Sequence, residues 1–203
     1  MTVDRARLER RIAELSAIGG SGTRVTRLGL SPEEQRARDV LGAWLRARGA
    51  TVRRDPAANA YGRFGADTGP AILVGSHIDS VPEGGRFDGA LGVLCAVEAV
   101  EALLDDGVRF RRPVEVVGWC DEEGARFGIG LFGSSAAFGR LPDHAPRDEV
   151  LAISTAASRV ERPGRDGPGE SEVRDDALVA RLQLHSPLPG GPYAAVDAVS
   201  ITQ

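Results

Sequence analysis

Two short apolar runs, each followed at once by a polar loop, constrain what this chain can fold into. The first run covers residues 71–74 and the second covers 114–119, and residues 89–104 between them have the pattern of a helix that stops at Gly107. Strand, helix and strand in this order indicate an α/β fold. Because a continuously apolar run has no polar face, we expect the strand at 71–74 to be buried on both sides.

The segment before the first run predicts two amphipathic helices and two short strands. The second helix has the clearest start, because Ser31 can cap it, Pro32 suits its first position and Glu34 stands in capping-box register. Gly49 supplies its stop. In chain order the four predicted elements are a helix at 3–18, a helix between Ser31 and Gly49, and strands at 51–54 and 60–64.

Composition limits the classes of protein to which the chain can belong. Its 203 residues, 42% of them apolar, suffice for one substantial core but not for two large domains. The formal net charge is -4 and no long basic run occurs, so we expect a small-molecule partner rather than nucleic acid or a membrane. The N-terminal residues are charged and no apolar run could span a bilayer, which predicts a cytoplasmic protein.

The first polar loop carries residues that suit a metal site. His77 and Asp79 stand just past the first apolar run, so the Asp79 carboxylate could hydrogen-bond the His77 imidazole and set which ring nitrogen faces a metal. Asp88 precedes the glycine that opens the next helix, where its carboxylate could join two cations. A His-x-Asp pair alone would also be compatible with a purely structural role.

The second polar loop begins with three consecutive carboxylates, Asp121, Glu122 and Glu123. Like charges this close repel each other unless a cation compensates them or water screens them. A solvated acidic turn is therefore one interpretation. The two loops together favour another, since a hydrolytic zinc site needs His and carboxylate ligands plus one carboxylate that is free to act as a base. We expect His77, Asp88, Glu122 and Glu123 to converge at the carboxyl ends of neighbouring strands.

Both loops contain long motifs. The run G-S-H-x-D-S-V-P-x-G-G-R-F-D-G occupies residues 75–89 and D-E-E-G-x-R-F-G occupies 121–128. Together with the stretches at 29–34 and 61–63, they resemble the N-carbamoyl-L-amino-acid hydrolase, allantoate amidohydrolase and β-ureidopropionase branch of the zinc aminoacylase and carboxypeptidase superfamily. The resemblance covers residues 1–142. It implies a three-layer α/β sandwich with a mostly parallel central sheet, and a hydrolase that acts on linear amide or ureido C–N bonds.

The resemblance also implies a role for each matched residue. His77 matches a ligand of one metal, Glu123 a ligand of the other, and Asp88 the carboxylate that bridges both, so the implied cofactors are two divalent zinc or manganese ions. Glu122 matches the general base, and Asp79 matches the residue that supports His77. In this scheme a water activated by the metals attacks the carbonyl carbon, and Glu122 passes the proton to the leaving nitrogen.

Beyond residue 142 the sequence departs from the family pattern. Residues 161–170 are rich in charge, proline and glycine, so we predict that 143–203 form a divergent, partly disordered tail that packs poorly from about Arg147 onward. A strand is predicted at 178–185.

His185 ends the predicted strand in the x-L-x-L-H form that carries a further metal ligand in the family, and it is a candidate ligand here. The sequence after it differs from the family's Ile-Glu-Gln-Gly. We expect the family's lid domain, which contacts the substrate and forms the homodimer, to be missing here. We interpret residues 1–142 as the N-terminal part of the catalytic domain and the whole chain as a truncated or frameshifted copy, incomplete on its C-terminal side. We expect weak metal binding with little or no turnover.

Two alternatives stay open. A peptidase or aminoacylase of the same superfamily would share the metal ligands, although the residues of the R-F-D-G and E-E-G-x-R-F-G motifs favour the carbamoylase branch. A non-catalytic metal-binding remnant would bind metal without turnover. A serine hydrolase is not supported, because no G-x-S-x-G elbow follows a strand; Ser134 and Ser135 match a loop-to-helix segment of the family and need no nucleophilic role.

Overall fold

The computed structural model describes residues 2–160, with side chains described as far as residue 155. The helices are α1 (Arg5–Ala17), α2 (Pro32–Ala47), α3 (Ala90–Asp105), α4 (Phe132–Ala137) and α5 (Arg147–Val160). The strands are β1 (Gly20–Ser21), β2 (Arg24–Val25), β3 (Thr51–Arg54), β4 (Ala60–Phe64), β5 (Ile72–His77), β6 (Gly84–Gly85) and β7 (Val114–Trp119).

The main sheet has the strand order β3-β4-β7-β5, which confirms the α/β class. Strands β5 and β7 are parallel, whereas β3 with β4 and β4 with β7 are antiparallel. In the described part of the chain the sheet is thus mixed, and the prediction of a mostly parallel sheet is wrong there. Residues 55–59, which connect β3 to β4, are too few for a crossover and can only reverse the chain. Between β5 and β7, α3 provides the crossover that a parallel pair requires.

Helix α2 begins as the sequence predicts, but its capping contacts differ in detail. The Ser31 hydroxyl accepts a hydrogen bond from the Glu34 amide at 3.1 Å. The Glu34 carboxylate accepts from the Leu30 amide at 3.1 Å, one residue before the expected partner. Glu34 is fully buried and paired with Arg38, which also donates to the Ala58 carbonyl. The pair with Arg38 neutralises a charge that burial would otherwise make costly.

The main core lies where α2 and α3 each pack on the sheet, α2 over β3 and β4 and α3 over β5 and β7. Leu41 and Leu45 of α2, Val93 of α3 and Val116 of β7 belong to one buried cluster. A glycine in β4 lets α2 approach closely, since a Cβ added at Gly62 would lie 2.6 Å from a methyl carbon of Leu45. This packing fixes the position of α3 relative to β5 and β7, whose carboxyl ends carry the two polar loops.

Helix α1 is attached to α3 by buried ion pairs. Arg7 donates to both carboxylate oxygens of Glu98, at 2.7 and 2.8 Å, and Arg11 donates to both oxygens of Glu101, at 2.8 and 2.7 Å. The hydrogen bond from Arg7 lowers the pKa of Glu98 below its ordinary value. The two arginines of α1 thus supply the charge that makes the burial of these glutamates tolerable.

Strand β5 is not buried on both sides in the described part of the chain. Ile72 is 55% exposed and Val74 is 37% exposed. Within residues 2–160, β5 pairs with β7 on one edge and with no strand on the other. The apolar run therefore predicted the strand correctly but not its burial, because burial depends on which neighbours cover an edge strand.

Residues 143–155 are better packed than the sequence suggests. Helix α5 begins at Arg147, and Val150 is 0% exposed in a cluster with Phe132 and Ala145. The expectation of poor packing from Arg147 onward is wrong for this helix, whose apolar face finds a partner surface. The predicted disorder at 161–170 and the strand at 178–185 lie outside the described residues. No helix within residues 2–160 is long and apolar enough to cross a membrane.

Candidate metal centre

The two polar loops meet because the strands that precede them are parallel neighbours. His77 is the last residue of β5 and is paired in register with Trp119, the last residue of β7. The carboxyl ends of parallel strands lie at the same edge of a sheet. The His77 loop and the loop that starts at Asp121 are therefore adjacent.

Three of the predicted site residues form a compact group of ligands. His77, Asp88 and Glu123 each offer one ligand atom, and these atoms all lie within 4.8 Å of one another. They come from the end of β5, from the residue before the N-cap of α3 and from the loop after β7. One imidazole and two carboxylates are donors that zinc and manganese accept, so the residues fit a divalent cation.

Gly89 allows His77 and Asp88 to approach each other. Its φ of 61° is in the left-handed region that favours glycine. An added Cβ would lie 2.3 Å from Cε1 of the His77 ring. The last position of the R-F-D-G motif thus requires glycine for a steric reason, because any larger residue would displace the imidazole of His77.

Asp79 supports His77, but not in the predicted way. Nδ1 of His77 lies 3.1 Å from the Asp79 backbone carbonyl and 3.6 Å from its carboxylate. The hydrogen bond therefore goes to the carbonyl, and the carboxylate acts on the ring through its charge. Both groups are acceptors, so Nδ1 carries the proton and Nε2 is left for a metal.

The Asp79 carboxylate has a second task that the sequence did not reveal. It accepts the backbone N–H of Glu122 at 3.3 Å and that of Glu123 at 3.1 Å. Asp79 is 1% exposed. It thus ties the histidine loop to the acidic loop and keeps the ligands from β5 and β7 at a constant separation.

The three consecutive carboxylates point to three different places. Glu123 joins the ligand group. Both oxygens of Glu122 are held by Ser134, whose N–H donates at 2.9 Å and whose hydroxyl donates at 3.1 Å. Asp121 is fully buried and, within the described residues, its side-chain oxygens have no hydrogen-bond partner. Burial above all, then the charges of Asp79 and Glu34, raise the pKa of Asp121 to about 7.

The ligand group and its neighbours hold more carboxylates than positive charges to balance them. Burial raises the pKa of Glu122 and of Glu123. Burial acts to lower the pKa of His77, but the interactions with Asp79 and the charge of Glu123 outweigh it and raise that pKa to about 9. Without a metal the imidazolium supplies part of the missing charge. A cation must therefore displace a proton from His77.

This competition predicts how metal affinity depends on pH. Because the pKa of His77 is raised to about 9, the ring is protonated at lower pH, and Mn²⁺ affinity should increase about tenfold per pH unit between roughly pH 7 and 9 and level off above. Titration calorimetry of the 203-residue chain at several pH values measures this slope. The His144→Gln variant, altered at an exposed histidine, should keep it. An affinity that does not change over this range would contradict the expected displacement.

The described residues contain one such ligand group, not two. His77, Asp88 and Glu123 are brought together as predicted, and Glu122 directly precedes Glu123 in the chain. His185 lies outside the described residues. The sequence did not indicate that Ser134 holds Glu122, since a Ser-Ser pair at the start of a helix has no pattern that identifies a carboxylate partner.

Comparison with known proteins agrees with this geometry. The sequence model described as "Peptidase family M20/M25/M40" matches residues 73–193. The N-carbamoyl-L-amino-acid amidohydrolase of Paenarthrobacter aurescens is 45% identical over 99% of this chain and 50% of its own length. Allantoate deiminase 1 of Glycine max is 38% identical over 65% of this chain and 28% of its own length.

A solved structure shows the same fold. The hydantoinase/carbamoylase family amidase from Burkholderia ambifaria superposes with a TM-score of 0.70 at 37% identity, covering 77% of this chain and 41% of its own. The chain spans about half the length of the curated relatives that it matches. Since the family match covers more than half of the chain and includes every residue of the ligand group, the chain belongs to peptidase family M20/M25/M40.

Proposed function

We propose that this chain forms part of a metal-dependent amidohydrolase that acts on linear amide or ureido C–N bonds, such as those of N-carbamoyl amino acids, allantoate or ureidopropionate. One observation carries the proposal: three ligand atoms lie within 4.8 Å of one another, and the carboxylate of Glu122, the residue before Glu123, is not in that group but hydrogen-bonded to Ser134. A hydrolytic site needs this division between ligands and a free base.

Each residue has a proposed role. His77 and Glu123 would each help to hold one of two divalent ions, zinc or manganese, and Asp88 would serve both. When bound, such ions supply a Lewis acid that polarises the substrate carbonyl and acidifies a water molecule. Glu122 accepts the proton of the attacking water and delivers it to the leaving nitrogen. Asp79 keeps Nδ1 of His77 protonated.

The raised pKa of Glu122 suits it to proton transfer. Burial is the main cause of the rise, and the two hydrogen bonds from Ser134 oppose it. A base works best when its pKa approaches the working pH, because it must both accept and release the proton. The contacts with Ser134 also keep the carboxylate in one orientation, so that little reorganisation is needed during the reaction.

We propose His185 as a further ligand. The family match extends to residue 193 and so includes the segment 178–185. Within the described residues, β5 is unpaired on its outer edge, and its residues Ile72 and Val74 are exposed. A parallel strand on that edge would end beside His77. His185, at the end of the segment, would then reach the same cations.

The names of the relatives favour the carbamoylase branch over a peptidase. Both the Paenarthrobacter aurescens and the Geobacillus stearothermophilus relatives, 45% and 46% identical, are named N-carbamoyl-L-amino-acid amidohydrolases. The family description itself names peptidases. Assays on an N-carbamoyl amino acid, allantoate and a dipeptide therefore separate the two activities.

The experiment uses the 203-residue chain and a chimera. In the chimera, residues 1–160 replace the matching segment of the Geobacillus stearothermophilus relative, so that the remainder of a whole enzyme is present. We expect metal-dependent hydrolysis of an N-carbamoyl amino acid by the chimera, and zinc binding with little turnover by the chain alone. A folded chimera that binds zinc but hydrolyses none of the substrates would contradict the amidohydrolase proposal and favour a metal-binding role.

A further inference from the structure

The loop that carries Glu122 and Glu123 is closed at its neck. This acidic loop, residues 121–132, has its ends joined by backbone hydrogen bonds. The N–H of Gly133 donates to the Cys120 carbonyl at 2.8 Å, and that of Leu131 donates to the Glu122 carbonyl at 2.8 Å. The backbone of Glu122 therefore moves only if the neck of the loop moves.

One buried side chain bonds to both sides of this neck. Asn59, 0% exposed, accepts the N–H of Cys120 on Oδ1 at 2.9 Å and donates from Nδ2 to the Gly133 carbonyl at 2.9 Å. There is no space for a larger residue opposite it, since a Cβ added at Gly133 would lie 2.2 Å from Oδ1 of Asn59. The contact is thus direct and closely packed.

Asn59 is itself held from the other side. Its Nδ2 donates to Asp55 at 2.8 Å, and its backbone N–H donates to the other oxygen of the same carboxylate at 2.9 Å. Tyr61 also donates to Asp55, at 2.9 Å. The turn between β3 and β4 therefore presents Asn59 rigidly to the acidic loop, although no residue of that turn belongs to the ligand group.

We propose that Asn59 is a positioning residue for the acidic loop. It places Glu123 within reach of His77 and Asp88, and Glu122 opposite Ser134. The proposal rests on the proposed function for the roles of these two glutamates. Only an amide side chain meets the requirement, because the neck presents one donor and one acceptor, and Asp55 needs a second donor. An aspartate at position 59 would lack both of the donors, and a serine would be too short to reach both sides of the neck.

The test compares two variants that disturb the same turn. Asn59→Ala removes the contacts to the neck, whereas Tyr61→Phe leaves them in place and removes the hydroxyl that donates to Asp55. Hydrogen exchange of the Glu122 and Glu123 amides, which donate to Asp79, reports on the loop without any metal. For Asn59→Ala we expect these amides to exchange at least about tenfold faster and zinc to bind about 10–100-fold more weakly. Tyr61→Phe should leave both quantities close to their original values.

The outcomes separate this proposal from the proposed function. A folded Asn59→Ala variant with unchanged loop exchange and zinc affinity overturns the role of Asn59. Equal changes in Tyr61→Phe also overturn it, because they would show a general effect of the turn. A parent chain that binds no zinc overturns the proposed function, and loop exchange still decides the role of Asn59. If Asn59→Ala does not fold, hydrogen exchange in the parent chain decides. The Cys120 and Gly133 amides should then exchange only through global unfolding of the chain. Exchange of these two amides together with those of the acidic loop would overturn the proposal.

Discussion

Replacing Glu122 with glutamine in the chimera should reduce turnover of an N-carbamoyl amino acid by about a thousandfold. The amide keeps the size of the side chain and can still accept a hydrogen bond from Ser134, but it cannot accept the proton of the attacking water. Glu122 lies outside the ligand group, so zinc affinity should stay close to that of the parent. Steady-state kinetics with titration calorimetry measures both quantities in one preparation.

The control for this variant is Glu14→Gln, which makes the same change at an exposed position on α1. It should leave kcat and KM unaltered. A Glu122→Gln variant with normal turnover would show that another group takes the proton. Equal losses of turnover and of zinc affinity would instead place Glu122 among the ligands.

Replacing His77 with alanine should weaken zinc binding by the 203-residue chain more than a hundredfold. Loss of a residue that only supports a ligand costs about 10–100-fold in affinity, and His77 is the one imidazole in the described ligand group. The two carboxylates that remain suit zinc less well than a set that contains nitrogen. Titration calorimetry with zinc measures the loss, and circular dichroism checks the fold.

His144→Ala is the matched control, because it removes an exposed histidine that has no part in the ligand group. It should bind zinc as the parent chain does. The His77→Ala variant should also lose the pH dependence of affinity between about pH 7 and 9, since the proton that metal displaces belongs to this ring. Unchanged zinc affinity in a folded His77→Ala variant would remove His77 from the site.

Local sequence determined the elements that carry the site. Ser31 and Pro32 define the start of α2 by capping and by a fixed φ, and the predicted strands at 51–54 and 60–64 coincide with β3 and β4. The two motif loops identified His77, Asp88 and Glu123, which the structure brings together. These predictions succeed because capping, turn chemistry and ligand type are properties of a few adjacent residues.

Packing against distant residues decided the points where expectation and structure differ. Ile72 and Val74 are exposed because, within the described residues, their face of the edge strand β5 is not fully covered. Val150 is buried because α5 meets the cluster around Phe132. An apolar run or a charged segment does not specify the surface that it will face. The direction of neighbouring strands likewise follows from the length of their connections and from the packing of α3.

The sequence by itself determined the chemistry of this site, namely one histidine and a set of carboxylates at the ends of two strands. Only the tertiary structure decided how these groups are divided. It directs Asp121 inward, holds Glu122 on Ser134 and leaves Glu123 to the ligand group. It also brings Asn59 from a remote turn to the neck of the acidic loop. Hydrogen bonds between residues this far apart in the chain depend on the assembled sheet, and no local pattern contains them.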